Sequence, residues 1–455
     1  MYHFLWRRPS FILEFIMEVR QKKTMKKTPL ETLNTRQIAL PNKWAAKIVR
    51  VLLKLMQFRK DVAYQYAFDV GAMKGKPIIL LADHATKDAY KYVLHGCTFC
   101  DPNVVIGYQN VFIKGLFKLL LKGGIIPKKL YQADQKSVAE MLKVIKMGGS
   151  LCLFPEGIQS TSGSTQPIFS ATAKFLKKAG IHVVLCKSYG SYLVKPRYKK
   201  TENKGHQEYH YEILFTPREL TELSVEQIYD KLLERFTYND FTWNRVARHK
   251  YIGGKGEPLA KGIDSILYRC PKCGKEFTLK TEGEKIICTN CNNTVVLNEY
   301  YDLLPYTDTD YLPYSSVDEW FKAQRKLVKE EVKAPFRYSY ECEVYDLHTE
   351  KLTFQPFYPC GEGVITITNE YIHYKGTHHG EEMDKRFDVH GIPSFIFTPN
   401  QDNDFYYENV YYSFRPKTNR EKVVKYMLLV EESHRLVDPS WDRISRDVYD
   451  KENVR

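Results

Sequence analysis

A histidine with two nearby carboxylates follows a short apolar run in the first half of the chain. The run Pro77–Leu81 continues into Ala82-Asp83-His84-Ala85-Thr86-Lys87-Asp88. Imidazole titrates near neutral pH, and a neighbouring carboxylate can fix its tautomer. A histidine in this setting therefore suits general base catalysis, in which it takes a proton from a reacting group.

A second block, Phe154-Pro155-Glu156-Gly157, follows the apolar run Ser150–Leu153. Short apolar runs that alternate with helical patterns predict the buried strands of an α/β sheet. Polar residues just beyond such strands lie where α/β folds build their sites. A Glu-Gly turn with cationic residues nearby suits a polar substrate head group. Together, the two blocks indicate acyl or phosphoryl transfer to a hydroxyl.

The order of these blocks resembles the glycerolipid acyltransferases, best known from 1-acylglycerol-3-phosphate acyltransferase. The resemblance spans roughly residues 60 to 245 and includes two further stretches. Gly123–Lys129 stands where the family has a glycine-hydrophobic stretch that ends in a phosphate-binding Arg. Gly180–Val184 resembles the last strand of the family's sheet.

Three positions differ from the family pattern. Asp88 follows His84 after three intervening residues, where the family has four. Ile158-Gln159-Ser160 stands where Thr-Arg-Ser is usual, and Lys128 or Lys129 replaces the phosphate-binding Arg. Lysine keeps the positive charge but lacks the bidentate fork of a guanidinium.

Enzymes of this family move a fatty acyl group from a thioester to the free hydroxyl of a lysophospholipid. The resemblance implies that His84 takes the proton of that hydroxyl while Asp88, or alternatively Asp83, steadies the ring. It also implies substrate binding by a larger set of residues, namely Phe154, Pro155, Glu156, Gly157, Lys128 and Lys129. The acyl donor would be acyl-CoA or acyl carrier protein. With 1-acylglycerol-3-phosphate as acceptor, the product would be phosphatidic acid, in phospholipid biosynthesis.

The basic charge is concentrated at the start of the chain. Residues 1–60 carry 14 lysines and arginines against three glutamates, which gives +11 of the total +14. Residues 42–60 predict an amphipathic helix with apolar residues at helical spacing beside a lysine stripe. Such a segment suits an anionic membrane surface. We therefore expect a peripheral protein on the cytoplasmic face of the membrane, without a transmembrane segment or signal peptide.

Four cysteines form two Cys-x-x-Cys pairs that are fourteen residues apart: Cys270, Cys273, Cys288 and Cys291. A Gly or Asn follows each pair and permits a tight turn around a sulfur. This spacing predicts a zinc ribbon, in which four thiolates hold a structural Zn²⁺ and leave no open position for catalysis.

The pattern along the chain predicts several domains, with α/β as the fold class of the first. We expect an α/β domain with a central mixed sheet after the basic segment 1–60, then a linker at 250–262. A helix opened by a capping box at Ser316 and Glu319 follows the ribbon. The last domain has the strand and helix outline of a pleckstrin-homology (PH) or GRAM domain. The predicted domain bounds are 61–248, 262–300, 316–334 and 335–440, with a polar tail at 441–455.

Two other functions are compatible with parts of the sequence. A zinc ribbon and a basic terminus are also typical of nucleic-acid-associated proteins. That interpretation leaves His84 and Phe154–Gly157 unexplained, and Trp44 is isolated where a stacking platform would need several aromatic residues. The shortened His84–Asp88 spacing keeps open a third possibility, an inactive acyltransferase fold that binds lipid as a scaffold.

Overall fold

A seven-stranded sheet forms the centre of the first domain in the computed structural model, which describes residues 27–57 and 60–438. The strand order is β1-β7-β6-β2-β5-β3-β4, and only β6 and β7 are antiparallel neighbours. The expected mixed sheet is therefore present. Its strands are β1 (Val62–Tyr66), β2 (Ile78–Ala82), β3 (Asn103–Gly107), β4 (Ile126–Lys128), β5 (Leu151–Leu153), β6 (His182–Tyr189) and β7 (Gln207–Phe215).

The central strand β2 is buried along its whole length, which explains its unbroken apolar sequence. Ile79 and Leu81 face one apolar cluster, whereas Ile78 and Leu80 face another on the opposite side of the sheet. β2 pairs in parallel with both β5 and β6. The carboxyl ends of these three strands therefore meet at one edge of the sheet.

Helices cover both faces of this sheet. Their starts follow local capping rules, as at Thr216 and Ser224, where side chains and backbone bond reciprocally in capping boxes. The helices are α1 (Pro29–Thr35), α2 (Lys43–Met56), α3 (Val70–Met73), α4 (Ala89–Gly96), α5 (Phe117–Lys122), α6 (Gln135–Lys146), α7 (Ala171–Ala179), α8 (Ser191–Val194), α9 (Pro217–Glu222), α10 (Val225–Phe236) and α11 (Asp240–Ala247).

The cysteine region forms a small antiparallel sheet of four strands in the order β11-β10-β9-β8. The strands are β8 (Leu279–Glu282), β9 (Lys285–Cys288), β10 (Thr294–Leu297) and β11 (Leu303–Pro305). The stretch 250–262, expected to be a linker, instead packs on the first domain. Ile252 forms a bridge with Lys204, and Leu259 and Ala260 are buried.

The predicted connecting helix is α12 (Val317–Glu331). The Ser316 hydroxyl accepts a hydrogen bond from the Glu319 N–H, which is half of the expected capping box. The Glu319 carboxylate turns to Ser315 instead. Asp318, on the first turn, is buried and accepts bonds from the hydroxyls of Ser162 and Ser164 at 2.6 and 2.7 Å. This contact attaches α12 to the first domain.

The last domain is a seven-stranded antiparallel sheet closed by one helix, α13 (Val423–Val437). Strands β12 to β15 form one part of the sheet and β16 to β18 the other. The two parts join where β18 pairs with β12. The β-rich region and its final helix are thus present as expected. Its strands are β12 (Tyr338–Leu347), β13 (Phe357–Ile367), β14 (Tyr371–His378), β15 (Glu381–Asp388), β16 (Ile396–Thr398), β17 (Asp402–Tyr407) and β18 (Val410–Pro416).

The β-rich domain packs directly on the α/β domain. Phe112 and Phe117 share an apolar cluster with Leu347 of β12. The Lys114 N–H donates to the carbonyl of Thr353 at 2.9 Å. The two domains therefore share a packed interface.

No helix within residues 27–57 and 60–438 is long and apolar enough to cross a membrane. The first 26 residues of the predicted membrane segment and the predicted polar tail at 441–455 lie outside the described residues.

Candidate active site

His84 and Phe154 lie side by side at the carboxyl edge of the sheet. His84 comes two residues after β2 ends, and Phe154 directly follows β5, which is the neighbouring parallel strand. The centroids of their rings are 5.1 Å apart. The structure thus brings the two sequence blocks together, because adjacent parallel strands end at the same place.

The backbone of His84 is fixed on both sides by the loop that follows β5. Its N–H donates to Oε2 of Glu156 at 2.6 Å. Its carbonyl accepts from the Ser160 N–H at 2.8 Å. The histidine therefore cannot move independently of the Phe154–Gly157 block.

Glu156 is buried, and backbone donors occupy both of its carboxylate oxygens. Oε1 accepts from the Gln166 N–H at 2.5 Å, while Oε2 accepts from the His84 N–H. Burial raises the pKa of Glu156 well above its usual value. Gly157 completes the turn at a φ of 74°, which favours glycine. We conclude that Glu156 holds two loops together, and its predicted role in substrate binding stays a prediction.

The His84 ring has one nitrogen engaged and one available. Nδ1 lies 2.9 Å from the carbonyl oxygen of Thr86. A carbonyl only accepts, so Nδ1 carries the proton and Nε2 of the neutral ring is left as a proton acceptor. Burial lowers the pKa of His84 to about 4, and the charge of Arg197 adds to this effect. The imidazole is therefore neutral at physiological pH.

Neither predicted aspartate bonds the His84 ring. Asp88 pairs with Lys91 at 2.6 Å. Asp83 is buried and accepts from the N–H and the hydroxyl of Ser188. Burial raises the pKa of Asp83 to about 6. The predicted His–Asp pair is thus not formed in this structure, because a backbone carbonyl takes the position that the carboxylate was expected to hold.

Arg197 is a residue of this site that the sequence motifs do not indicate. It belongs to the basic stretch 195–200, just beyond β6 and α8. Its guanidinium donates to the carbonyls of Gln159, at 2.9 Å, and of Phe397 in the β-rich domain. It forms no ion pair with a carboxylate among residues 27–57 and 60–438, and its Nε is buried without a hydrogen bond. Its position after another parallel strand of the same edge is the signal that could have identified it.

Burial lowers the pKa of Arg197 to about 10, because desolvation disfavours the charged guanidinium. The guanidinium donates to two backbone carbonyls. Its charge reaches His84, as the shift of the histidine pKa shows. Such a group is a candidate ligand for an anionic substrate head group.

Lys128 and Lys129 lie at the end of β4, on the same edge of the sheet but three strands from β2. Nζ of Lys129 donates to the carbonyl of Asn409 in the β-rich domain at 2.8 Å. Burial lowers the pKa of Lys128, which has no hydrogen bond from its ammonium to any described residue. Of the two lysines, Lys128 is therefore the one whose charge remains available to a ligand.

The four cysteines of the predicted ribbon converge at the ends of their turns. Their sulfurs all lie within 4.8 Å of one another, and the Cys270–Cys291 and Cys273–Cys288 pairs are each 3.7 Å apart. Sulfurs about 2.3 Å from a central Zn²⁺ in a tetrahedron are about 3.8 Å apart. The turns use left-handed residues where the sequence has Gly274 and Asn292, with φ of 70° and 57°. This donor set fits a tetrahedral metal ion.

Comparison with known proteins gives distant structural similarity to solved structures. No family model and no curated protein matches the chain. Among solved structures, the chain is similar to the 1-acyl-sn-glycerophosphate (LPA) acyltransferase PlsC from Thermotoga maritima. The sequences are 16% identical, the match covers 45% of this chain and 80% of that one, and the TM-score is 0.37.

Glu156→Gln tests the tie between the two loops. The amide keeps one acceptor oxygen but turns an NH₂ group toward a backbone N–H, which leaves that buried donor without an acceptor. We expect the free energy of unfolding to fall by about 1–3 kcal/mol, measured by urea denaturation. The control is Glu234→Gln, an exposed glutamate on α10. Equal stability of the two variants would contradict the structural role of Glu156.

Proposed function

We propose that the protein is an acyltransferase that moves a fatty acyl group from a thioester to the hydroxyl of a lysophospholipid. One observation carries the proposal. His84 is a neutral histidine with Nε2 available, held by hydrogen bonds from its backbone to the Phe154–Gly157 loop. A general base needs this combination of a free lone pair and a fixed position.

In the proposed reaction, Nε2 of His84 takes the proton of the acceptor hydroxyl as its oxygen attacks the thioester carbonyl. The carbon–sulfur bond then breaks, and the leaving thiolate receives the proton back from His84. Backbone N–H groups would stabilise the oxyanion that forms between these steps. No acyl-enzyme is involved. The thiol belongs to a pantetheine of acyl-CoA or acyl carrier protein.

The acceptor is proposed to be a glycerol phosphate derivative, namely 1-acylglycerol-3-phosphate, which would give phosphatidic acid. Arg197 supports this choice because it is a partly buried, desolvated cation that forms no ion pair with a described carboxylate and whose charge reaches His84. Lys128 is the second candidate for the phosphate, and Lys129 is already bonded to Asn409. A bound phosphate would also offset the charge of Arg197 and so raise the pKa of His84, making it a stronger base.

His84→Ala is expected to lower kcat/KM by roughly 10²–10⁴-fold, measured with a labelled acyl thioester and lysophosphatidic acid. In the wild type, His84 must be neutral to accept a proton. The acid limb of kcat/KM should therefore lie near pH 4, where the lowered pKa of His84 places it, and not near 6.5.

Asp88→Asn is the matched variant for this experiment, because Asp88 pairs with Lys91. The His84 ring is hydrogen-bonded to the Thr86 carbonyl and not to Asp88. We expect a change of less than about tenfold, far below the effect of losing the base. Near-native turnover of His84→Ala would contradict the base assignment. Absence of turnover in the wild type, with retained binding of lysolipid vesicles, would favour an inactive lipid-binding scaffold.

Arg197→Gln tests the acceptor. Loss of a charge-assisted contact to phosphate should raise KM for lysophosphatidic acid by at least about tenfold. The KM for a neutral monoacylglycerol acceptor should change much less. Equal changes for both acceptors would show that Arg197 acts on the fold and not on the phosphate.

We further propose that α2 contacts an anionic membrane surface. Four apolar side chains stand at helical spacing on its outer face and are about half exposed or more: Trp44 74%, Ile48 48%, Val51 53% and Leu55 56%. The inner face packs on the domain through Ala45 and Leu53. Exposed lysines flank the outer stripe at 43, 47 and 54. This distribution supports insertion of the stripe with the lysines among lipid phosphates.

The double variant Ile48→Ser/Val51→Ser should weaken binding to anionic vesicles by about tenfold or more, since each apolar side chain contributes at least about 1 kcal/mol when buried. Cosedimentation measures this loss, and wild-type binding should also weaken with salt. Val246→Ser, at an 85% exposed position on α11, is the control. Equal binding of the double variant and the control variant would place the membrane contact elsewhere.

The four-cysteine cluster is proposed to hold a structural Zn²⁺. Its ligands would be Cys270, Cys273, Cys288 and Cys291, which lie at the two turns beside the β8–β11 sheet. Four thiolates fill the tetrahedral coordination sphere, so the ion would stabilise the β8–β11 sheet and take no part in the acyl transfer.

A further inference from the structure

A second cluster of metal-binding side chains lies in the β-rich domain, far from the four-cysteine cluster in sequence. It contains Cys360 on β13 and the consecutive histidines His378 and His379 at the end of β14. One ring nitrogen of each histidine and the Cys360 sulfur all lie within 4.8 Å of one another. Cys360 and His378 come from adjacent strands and His379 from the turn that follows, so the sheet brings their backbones close together.

The turn between β14 and β15 explains how two consecutive histidines reach the same place. Successive side chains of a strand point to opposite faces. Here, however, His379 has a φ of 54° and Gly380 a φ of 83°, in a two-residue loop between the paired residues His378 and Glu381. Such hairpin loops usually contain Asn-Gly. Histidine in the left-handed position brings its ring beside that of His378, with centroids 4.3 Å apart.

Backbone and acidic contacts hold the turn against β12 and β13. The His379 N–H donates to the carbonyl of Cys360 at 2.7 Å. Nε2 of His379 lies 2.9 Å from Oδ2 of Asp346, on β12. A carboxylate beside a metal-binding imidazole orients the ring and increases its affinity for the ion. Asp346 is thus placed to support this histidine.

We propose that Cys360, His378 and His379 bind a divalent zinc ion, with the fourth coordination position open to water. One thiolate and two imidazoles form a donor set of borderline softness that suits Zn²⁺. Ligand atoms of a tetrahedral zinc site are about 3.3–3.8 Å apart. The observed spacing is within reach of this geometry, because His379 is exposed and His378 is only half-buried, so both rings can adjust.

This site differs from the four-cysteine cluster in its chemistry. Four thiolates close the coordination sphere, whereas three protein ligands leave a position that a small molecule can enter. The proposal is independent of the acyl transfer reaction, since none of its residues belongs to the loops around His84.

The test uses the full-length protein, brought to equilibrium with Zn²⁺ by dialysis, and elemental analysis of bound zinc per chain. Cys360→Ser and His378→Ala should each bind one zinc ion fewer than the wild type. Cys288→Ser reports the four-cysteine cluster separately, and a double variant with Cys360→Ser should lose both ions. The control variants are Cys342→Ser, a buried cysteine on β12, and His373→Ala, on the same strand as His378.

Asp346→Asn should bind zinc about 10–100-fold more weakly at this site while keeping its ligands. The free energy of unfolding of Asp346→Asn without zinc, measured by urea denaturation, should equal that of the wild type. Weaker zinc binding by this variant would therefore not reflect a general loss of structure. Equal zinc content of the wild type and of both Cys360→Ser and His378→Ala would overturn the proposal. The proposal would also be overturned if Cys342→Ser and His373→Ala lost as much bound zinc as Cys360→Ser and His378→Ala.

Discussion

The buried carboxylate of Glu156 is the interaction on which the geometry around His84 depends. It accepts one backbone N–H from the loop after β2 and one from the loop that follows β5. Each buried N–H would cost about 1–3 kcal/mol without an acceptor. A single side chain therefore fixes both loops to each other. These two bonds offset part of the cost of burying the carboxyl, and the pKa of Glu156 stays raised.

The same loop is held from outside the α/β domain. Asp318 of α12 accepts bonds from Ser162 and Ser164, only a few residues after Ser160, which bonds the His84 carbonyl. The β-rich domain adds the Phe397 carbonyl and ring, which contact Arg197. Later parts of the chain thus complete the walls of the candidate site. For this reason, we expect the isolated α/β domain to lose order at the loops around His84.

The sequence could predict the parts of this arrangement that depend on strand order and residue type. Apolar runs identify β2 and β5, and the polar blocks after them had to meet because adjacent parallel strands end together. The paired cysteines and the outer stripe of α2 follow in the same way from spacing. The partner of His84 could not be predicted, because the Thr86 carbonyl that bonds it is a backbone group that every residue carries.

Other features depended on contacts between distant segments. The stretch 112–122 has apolar residues at helical spacing beside three lysines, a pattern typical of an amphipathic helix. Helix α5 nevertheless begins only at Phe117, and Phe112 and Phe117 pack with Leu347 of the β-rich domain. Arg197 could be assigned to the site only once the structure showed that the strand preceding it, β6, lies beside β2 and ends at the same edge of the sheet. Periodicity describes one segment at a time, so it cannot show which face another domain will cover.

The charges around His84 favour an anionic ligand more strongly than the individual motifs do. Arg197 is desolvated, donates to two carbonyls of the described residues, and lowers the pKa of His84 through its charge. Among the described residues, the site therefore combines a weak base with a cation that forms no ion pair, and burial disfavours this uncompensated charge. A phosphate bound to Arg197 would compensate the charge of the guanidinium and make His84 a stronger base. Binding of the acceptor and activation of its base would then be coupled through one electrostatic interaction, since each is improved by the same negative charge.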